Sequence, residues 1–313
     1  MKRALLVGIN YLGTSNQLNG CINDINNIGT YLYTVRKYNS FIVLTDYTAQ
    51  KPTRANILSA FAVLLKDVVA GDELWFHYSG HGALMRDTSG DEESRQDSCI
   101  CPLDFARSGF ITDDLIRNNL ALLVPKGVRL YIILDACHSG TGCDLRYKYD
   151  DSSYLTNKKA PLPSTYVTAD WSLQQTNYEY KRYAKTNGDV FCISGCQDSQ
   201  TSADAYIDGQ AAGALSYILL TCLRNNSPTI YKWKHLLKDI CCGEKVNRFE
   251  QRTAITSGNP LNMEDNVFIT MPTPAAAAPA PARIANNMGK KQVISMARNL
   301  NYNPKINKLY IKF

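Results

Sequence analysis

Residues 130–140, LYIILDACHSG, and residues 74–82, LWFHYSGHG, each run from apolar residues into a polar segment that contains glycine. An apolar run of this length followed by a glycine turn is typical of a buried strand in a parallel sheet. In such sheets, functional side chains gather in the loops that follow the carboxyl ends of the strands. The two segments therefore predict neighbouring strand ends that carry Cys137 and His81.

Strands and helices are expected to alternate along the rest of the chain. Hydrophobic patterns predict strands at 4–9, 41–45, 73–79, 128–134, 190–194 and 267–270, and helices at 21–37, 53–68, 213–224 and 231–241. This alternation predicts an α/β fold with a mostly parallel central sheet and helices on both faces. Thr53 is expected to cap the second helix.

Two stretches interrupt this pattern. Residues 144–189 are polar with little periodicity, which predicts either a mobile functional segment or a small hairpin insertion. Residues 272–281, PTPAAAAPAP, are typical of a semi-rigid extended linker. The expected organisation is a folded domain at 1–271, with a large segment at about 1–147, the insertion at about 144–189 and a small segment at about 190–271, then a linker at 272–282 and a basic tail at 283–313.

The charge of the chain is unevenly placed. The composition is that of a globular protein, with 45% apolar and 20% charged residues, and the net charge is +6. Residues 273–313 hold seven basic side chains and no acidic one, so residues 1–272 hold 27 basic against 28 acidic side chains. Residues 1–272 are therefore not expected to bind nucleic acid. Only the basic tail could contact nucleic acid or an anionic surface.

Apolar runs and cysteines indicate the compartment. No run approaches the roughly 18–20 apolar residues of a membrane span, so no span is expected. The ten cysteines include no CxxC pair, and several lie in predicted strands or helices, such as Cys192 and Cys222. Reduced thiols in a cytoplasmic protein are the preferred interpretation, and a secreted disulfide scaffold is the alternative.

Cys137 and His81 have the chemistry of a nucleophile and its base. The thiolate is the attacking form of cysteine, and a nearby imidazole takes the thiol proton. Glycines beside both residues let backbone amides approach a developing oxyanion. The alternative is an inert buried thiol and a loop histidine, but the placement of both at strand ends favours catalysis.

Five segments of the chain resemble, in order, the signature blocks of metacaspases. They are 18–24 (LNGCIND), 77–82 (HYSGHG), 100–104 (ICPLD), 135–140 (DACHSG) and 193–204 (ISGCQDSQTSAD). The arrangement is most similar to type I metacaspases and implies a caspase-like (caspase-hemoglobinase) fold for a catalytic domain at 1–271. Because that domain begins at residue 3, the Pro/Gln-rich N-terminal prodomain of that type is expected to be missing.

The resemblance implies a cysteine-type endopeptidase that cleaves protein or peptide substrates after Arg or Lys. Cys137 is the expected nucleophile and His81 the general base of a Cys–His dyad, with the amides of Gly82 and Cys137 holding the oxyanion. A monomer is expected, and self-cleavage at basic residues of 144–189 is left open. The alternative is a caspase-like binding or scaffold module with vestigial catalysis.

The resemblance also implies an acidic specificity pocket built by Asp24 and Asp135 and lined by Cys21 and Ser79. A carboxylate at the end of a buried strand is costly unless it meets a cation, and a substrate guanidinium is a fitting partner. The alternative is that Asp24 caps a helix and Asp135 is a structural hydrogen-bond acceptor.

Calcium activation is a further implication of the resemblance, through Asp97, Asp113, Asp114 and Asp144. Ca²⁺ takes about six to eight oxygen ligands, and carboxylates supply them. Asp113 or Asp114 could instead cap the helix that they open. His77 and Tyr78, by contrast, are expected to pack within or beside their strand.

Overall fold

The computed structural model describes residues 1–86, 96–136, 143–151, 175–196, 205–207, 210–247 and 252–269. Its strands are β1 (Lys2–Gly8), β2 (Ser40–Thr45), β3 (Glu73–Ser79), β4 (Gly82–Arg86), β5 (Gln96–Ile100), β6 (Ile111–Thr112), β7 (Arg129–Asp135), β8 (Tyr147–Asp151), β9 (Gln175–Glu179), β10 (Asp189–Cys196), β11 (Ala205–Ile207), β12 (Gln210–Ala212) and β13 (Arg252–Ser257). The helices are α1 (Cys21–Thr34), α2 (Arg54–Leu65), α3 (Phe105–Ser108), α4 (Asp113–Asn119), α5 (Ala214–Asn225) and α6 (Trp233–Val246), with a 3-10 turn at Ala121–Leu123.

A central sheet takes the order β2-β1-β3-β7-β10-β13-β8-β9. Neighbouring strands from β2 to β10 are parallel, whereas β13 is antiparallel to β10 and β8, and β8 is antiparallel to β9. β4, β5 and β6 form a small side sheet, and β11 pairs with β12. The mostly parallel central sheet expected from the sequence is confirmed.

Each face of the central sheet packs against its own set of helices. Alternate residues of β3 show the division, because Trp75 belongs to the core formed with α1, α5 and α6, whereas Phe76 belongs to the core formed with α2 and α4. Every residue of β3 is buried, which is the pattern of a strand covered on both faces. Thr53 caps α2 as expected, since its side chain accepts a hydrogen bond from the Asn56 amide at 3.3 Å.

The prediction of a strand at 267–270 is wrong for residues 267–269, which are described and form no strand. The Val267 amide donates to the Tyr231 carbonyl at 2.7 Å, and the Val267 carbonyl accepts from the Tyr131 hydroxyl at 2.6 Å. The guanidinium of Arg129 also donates to the Val267 carbonyl, and Asn266 forms an isolated bridge with Lys232, so an isolated bridge and side-chain bonds hold this segment in place of a strand ladder. β13, which the sequence analysis missed, is the strand that completes this side of the sheet.

The described ends of the 144–189 insertion, β8 and β9, pair as antiparallel strands at one edge of the sheet. This agrees with the hairpin alternative, although residues 152–174 lie outside the described ranges. The linker and the basic tail also lie outside them. Among the described helices, none has the length and apolar character needed to cross a membrane.

Candidate active site

The ends of β3 and β7 lie side by side in the sheet. Ser79 is the register partner of Asp135, and the Gly80 amide donates to the Asp135 carbonyl at 3.3 Å. His81 comes two residues after Ser79, as Cys137 comes two residues after Asp135. Cys137 itself lies outside the described residues, which stop at Ala136 on this side of the gap.

The backbone of His81 is held by two buried tyrosines. Its amide donates to the Tyr11 hydroxyl at 3.1 Å, and its carbonyl accepts from the Tyr78 hydroxyl at 2.7 Å. Burial raises the pKa of Tyr11 and Tyr78, so both hydroxyls stay protonated and can donate. A Cβ at Gly80 would come within 2.6 Å of the Tyr78 hydroxyl oxygen, so this position requires glycine.

The imidazole of His81 has a defined orientation. Its ring packs on the ring of Tyr11, with 4.7 Å between centroids, and its Nε2 lies 2.8 Å from the Asn16 carbonyl oxygen. A carbonyl only accepts, so Nε2 carries the hydrogen and Nδ1 keeps the lone pair that a general base needs. The sequence analysis missed Asn16, because a backbone carbonyl has no residue-type signature.

Asp24 lies in the first turn of α1 and is only 3% exposed. Its Oδ2 accepts from the Ser79 hydroxyl at 2.6 Å, and the Gly213 amide donates to Oδ1 and Oδ2 at 3.1 and 3.0 Å. The N-cap residue of α1 is Gly20, four positions before Asp24, so Asp24 is not the N-cap residue of the helix.

Asp135 ends β7 and meets the first turn of α5. Its Oδ2 accepts from the Ser216 amide at 2.7 Å. Burial raises the pKa of Asp135, while hydrogen bonding to Ser216 and Leu215 acts in the opposite direction. The carboxyl group is thus held in place but poorly solvated.

Gly213 brings the two carboxyl groups together. A Cβ at this position would lie 2.2 Å from Oδ2 of Asp135 and 2.9 Å from Oδ2 of Asp24. Both carboxyl groups therefore face the same point of the backbone, beside the end of β3. The buried Cys21 precedes Asp24 by one turn of α1. The structure thus brings Asp24, Ser79 and Asp135 into one cluster at the strand ends, with Cys21 one helical turn away.

Gly82 opens β4 directly after His81, and its register partner is Ile100. This places the residue expected to hold the oxyanion beside the histidine, where a backbone amide can reach a reacting carbonyl. Its expected partner, the Cys137 amide, lies outside the described residues.

The four aspartates considered as calcium ligands lie around the side sheet and the segment after residue 142. Asp97, Asp113 and Asp144 are buried, and Asp114 is half-buried. Asp113 accepts from the Ser98 amide at 2.9 Å and from the Asp114 amide at 3.0 Å. The side-chain cap of α4 is Thr112, which accepts from the Leu115 amide, rather than either aspartate.

Asp113 lies close enough to Asp97 and to Asp144 to act on the same buried thiols as each of them. Burial, and to a smaller extent Asp113 and Asp97, raises the pKa of the Cys99 thiol to about 12. Burial, with contributions from Cys192, Asp144 and Asp113, raises the pKa of Cys143. Carboxylate oxygens are the donors a hard cation prefers. Within the described ranges, however, no three His, Cys, Asp or Glu side chains are grouped closely enough to hold a metal ion.

Comparisons with known proteins agree with this arrangement. Residues 2–146 match the family model of the metacaspase, peptidase C14 domain. Metacaspase-1 of Coccidioides immitis is 38% identical over 290 residues, which cover 83% of this chain and 62% of that protein. Metacaspase-1 of Ajellomyces capsulatus is 37% identical over 292 residues, which cover 84% of this chain and 81% of that protein. The chain thus spans less than two thirds of the length of the Coccidioides relative.

A solved structure of a Geobacter sulfurreducens protein matches this fold with a TM-score of 0.55. Its sequence is 23% identical, and the match covers 87% of this chain and 99% of that one. This likeness concerns the fold alone. Together with the family match and the sheet order, it confirms the caspase-like α/β fold expected from the sequence.

Proposed function

The chain belongs to the metacaspase family of cysteine peptidases, and we propose that it is an endopeptidase that cleaves peptide bonds after Arg or Lys. Cys137 is the nucleophile and His81 the general base. Asp24 and Asp135 bind the basic side chain of the substrate, in a pocket that Ser79 and Cys21 line.

The observation that carries this proposal is the pair of buried carboxyl groups that face Gly213 beside the end of β3. Burial disfavours the charged form of Asp135. A cation that enters the pocket stabilises the ionised carboxylate, and the ion pair contributes to the binding free energy. A guanidinium or ammonium group supplies that cation, and the fork of a guanidinium matches a carboxylate. A pocket for acidic side chains would need cationic residues here instead.

Chain connectivity supports the nucleophile. Two Cα–Cα steps of about 3.8 Å each limit how far residue 137 can lie from Asp135. Asp135 is paired with Ser79, and His81 lies two residues beyond Ser79. Cys137 and His81 therefore each follow, by two residues, one of two paired positions at adjacent strand ends.

The reaction is acyl transfer to sulfur. Nδ1 of His81 takes the thiol proton of Cys137, while Nε2–H stays bonded to the Asn16 carbonyl and stabilises the imidazolium. The thiolate attacks the scissile carbonyl carbon, and the amides of Gly82 and Cys137 hold the oxyanion. The imidazolium gives its proton to the leaving amine as the peptide bond breaks. His81 then deprotonates a water molecule that hydrolyses the thioester.

A panel of peptides that differ only in the residue before the scissile bond tests the proposed function. Peptides with Arg or Lys should be cleaved, and the peptide with Asp about 1,000-fold more slowly, because placing like charges together costs several kcal/mol. The readout is kcat/KM, with an Asn peptide as the uncharged control. Cleavage of the Asp or Asn peptide at the rate of the Arg peptide would contradict the pocket.

Calcium activation is part of the proposal. Asp97, Asp113, Asp114 and Asp144 have the oxygen donors that suit the ion, and Asp113 influences buried thiols beside both Asp97 and Asp144. A bound calcium ion would supply positive charge among these buried carboxylates. Because the described residues form no ready group of three ligands, binding requires these side chains to be drawn together.

Replacing Asp144 by Asn should raise the calcium concentration for half-maximal activity at least about tenfold, because one charged ligand is lost. Asp144 has φ +47°, a conformation that Asn also tolerates, so the variant isolates the charge. Asp67→Asn, at φ +57°, is the matched control. Calorimetry of calcium binding to both variants gives a readout besides activity. Superimposable wild-type and Asp144→Asn curves would remove this site.

We also propose that the protein is a monomer in the cytoplasm and that it cleaves itself within 144–189. Its basic tail is proposed to contact anionic partners. Eight of the nine cysteines in the described ranges form no disulfide, which supports a reducing compartment. Lys181, Arg182 and Lys185 are exposed between β9 and β10, which supports self-cleavage there. The seven basic side chains of 273–313 support the tail contact.

A further inference from the structure

His77 is a fully buried histidine on β3, four residues before His81 in the sequence. Its Nε2 lies 2.9 Å from the hydroxyl oxygen of Ser216, in the first turn of α5. Ser216 is also the residue whose amide donates to Oδ2 of Asp135 at 2.7 Å. Ser216 therefore connects the buried imidazole, through its hydroxyl, to a carboxylate of the proposed specificity pocket, through its amide.

The hydrogen bond between His77 and Ser216 joins two neutral groups. Burial lowers the pKa of His77 to about 3, so the ring is neutral and carries one N–H. A neutral imidazole and a hydroxyl can each donate or accept, so the pair shares one hydrogen bond in either direction.

Packing alone does not account for a histidine at this position. Nδ1 of His77 is buried and has no hydrogen-bond partner among the described residues. An unpaired buried polar atom lowers stability, and an apolar side chain of similar size would avoid that loss. The neighbouring Phe76, on the opposite face of β3, is an example of such a side chain.

Ser216 lies in the first turn of α5, and its amide is the donor that meets Asp135 at the end of β7. The bond between His77 and the Ser216 hydroxyl ties this turn to the middle of β3. His77 thereby fixes the position of the Ser216 amide relative to the strand ends, and with it the carboxylate that this amide binds.

We propose that His77 is a positioning residue that acts through Ser216 to hold Asp135 in the orientation that receives a basic substrate side chain. The inference rests on the proposed function, because it assigns Asp135 to the substrate pocket. Its consequence is an effect on substrate affinity rather than on the chemical step, because neither His77 nor Ser216 touches the reacting atoms in the proposed mechanism.

Steady-state kinetics of the full chain with an Arg peptide tests this inference. His77→Leu should raise KM about tenfold and change kcat less than about twofold, the pattern of lost ground-state binding. His77→Gln keeps an N–H donor and should stay within about threefold of the wild-type KM. Phe76→Leu is the matched control, because it weakens the same strand on the other face. It should lower the melting temperature and leave KM unchanged.

Ser216→Ala is a second variant that tests the same inference, and it can be used if His77→Leu does not fold. It should raise KM as His77→Leu does, and adding His77→Leu to Ser216→Ala should change KM no further, because the two residues act in series. A wild-type KM in either single variant, or additive effects in the double variant, would overturn the inference while leaving the proposed function intact. An inactive wild-type chain would instead overturn the proposed function and the inference with it.

Discussion

Replacement of Cys137 by Ala should lower kcat/KM for Arg peptides by roughly 10⁶-fold, the size of the loss when a serine peptidase is deprived of its nucleophile. No thioester can form without the sulfur, and the amides of the oxyanion hole then have no covalent intermediate to stabilise. The strand register of Ser79 and Asp135, two residues before His81 and Cys137, is the structural basis of this expectation. The measurement is hydrolysis of an Arg peptide by the purified variant.

Cys222→Ala is the matched control for this variant. Cys222 lies on α5, is buried, and has its pKa raised by burial to about 12, so its thiol is inert at neutral pH. The control should retain the wild-type kcat/KM. Retained cleavage in Cys137→Ala would remove the nucleophile from the mechanism, and equal losses in both variants would indicate a packing effect.

Replacement of Asp135 by Asn should lower kcat/KM for Arg peptides about 1,000-fold, because truncating one partner of a buried charge pair costs several kcal/mol. Asn keeps an oxygen that can accept from the Ser216 amide, so the variant removes the charge and little of the shape. Asp189→Asn, at an exposed residue paired with Arg129, is the control and should behave as the wild type. The readout is kcat/KM on the same Arg peptide.

The pH dependence of the wild type follows from the same carboxyl group. Because burial raises the pKa of Asp135, its charge is lost at a higher pH than that of an exposed aspartate as the solution is acidified. Binding of a basic side chain depends on the charged form, so affinity for Arg peptides falls as pH falls through this raised pKa.

The sequence predicted the parts of the site that lie at the ends of buried strands. The apolar runs before His81 and Cys137 identify β3 and β7, because short apolar runs that end in glycine turns are typical of strands buried on both faces. The helix cap at Thr53 was also predictable, because a capping residue has a local signature.

The contacts that orient the site were not predictable from sequence. Asn16 acts through its backbone carbonyl, which every residue type carries. His77 and Ser216 are 139 positions apart, so their hydrogen bond leaves no local pattern. Gly213 matters because its missing Cβ leaves room for two carboxyl groups, and that proximity exists only in the folded chain. β13 was missed because its sequence, RTAITS, has only two apolar residues, Ala254 and Ile255, and so shows no apolar run.

The central claim is that paired carboxylates beside the His81 and Cys137 strand ends recognise a cationic side chain. The most direct test is the ratio of kcat/KM for two peptides that differ only in Arg against citrulline, its uncharged isostere, measured on the wild type and on Asp135→Asn. The account predicts a wild-type preference for Arg of at least about 100-fold that falls at least about tenfold in the variant. Equal cleavage of the two peptides by the wild type, or an undiminished Arg preference in Asp135→Asn, would contradict it.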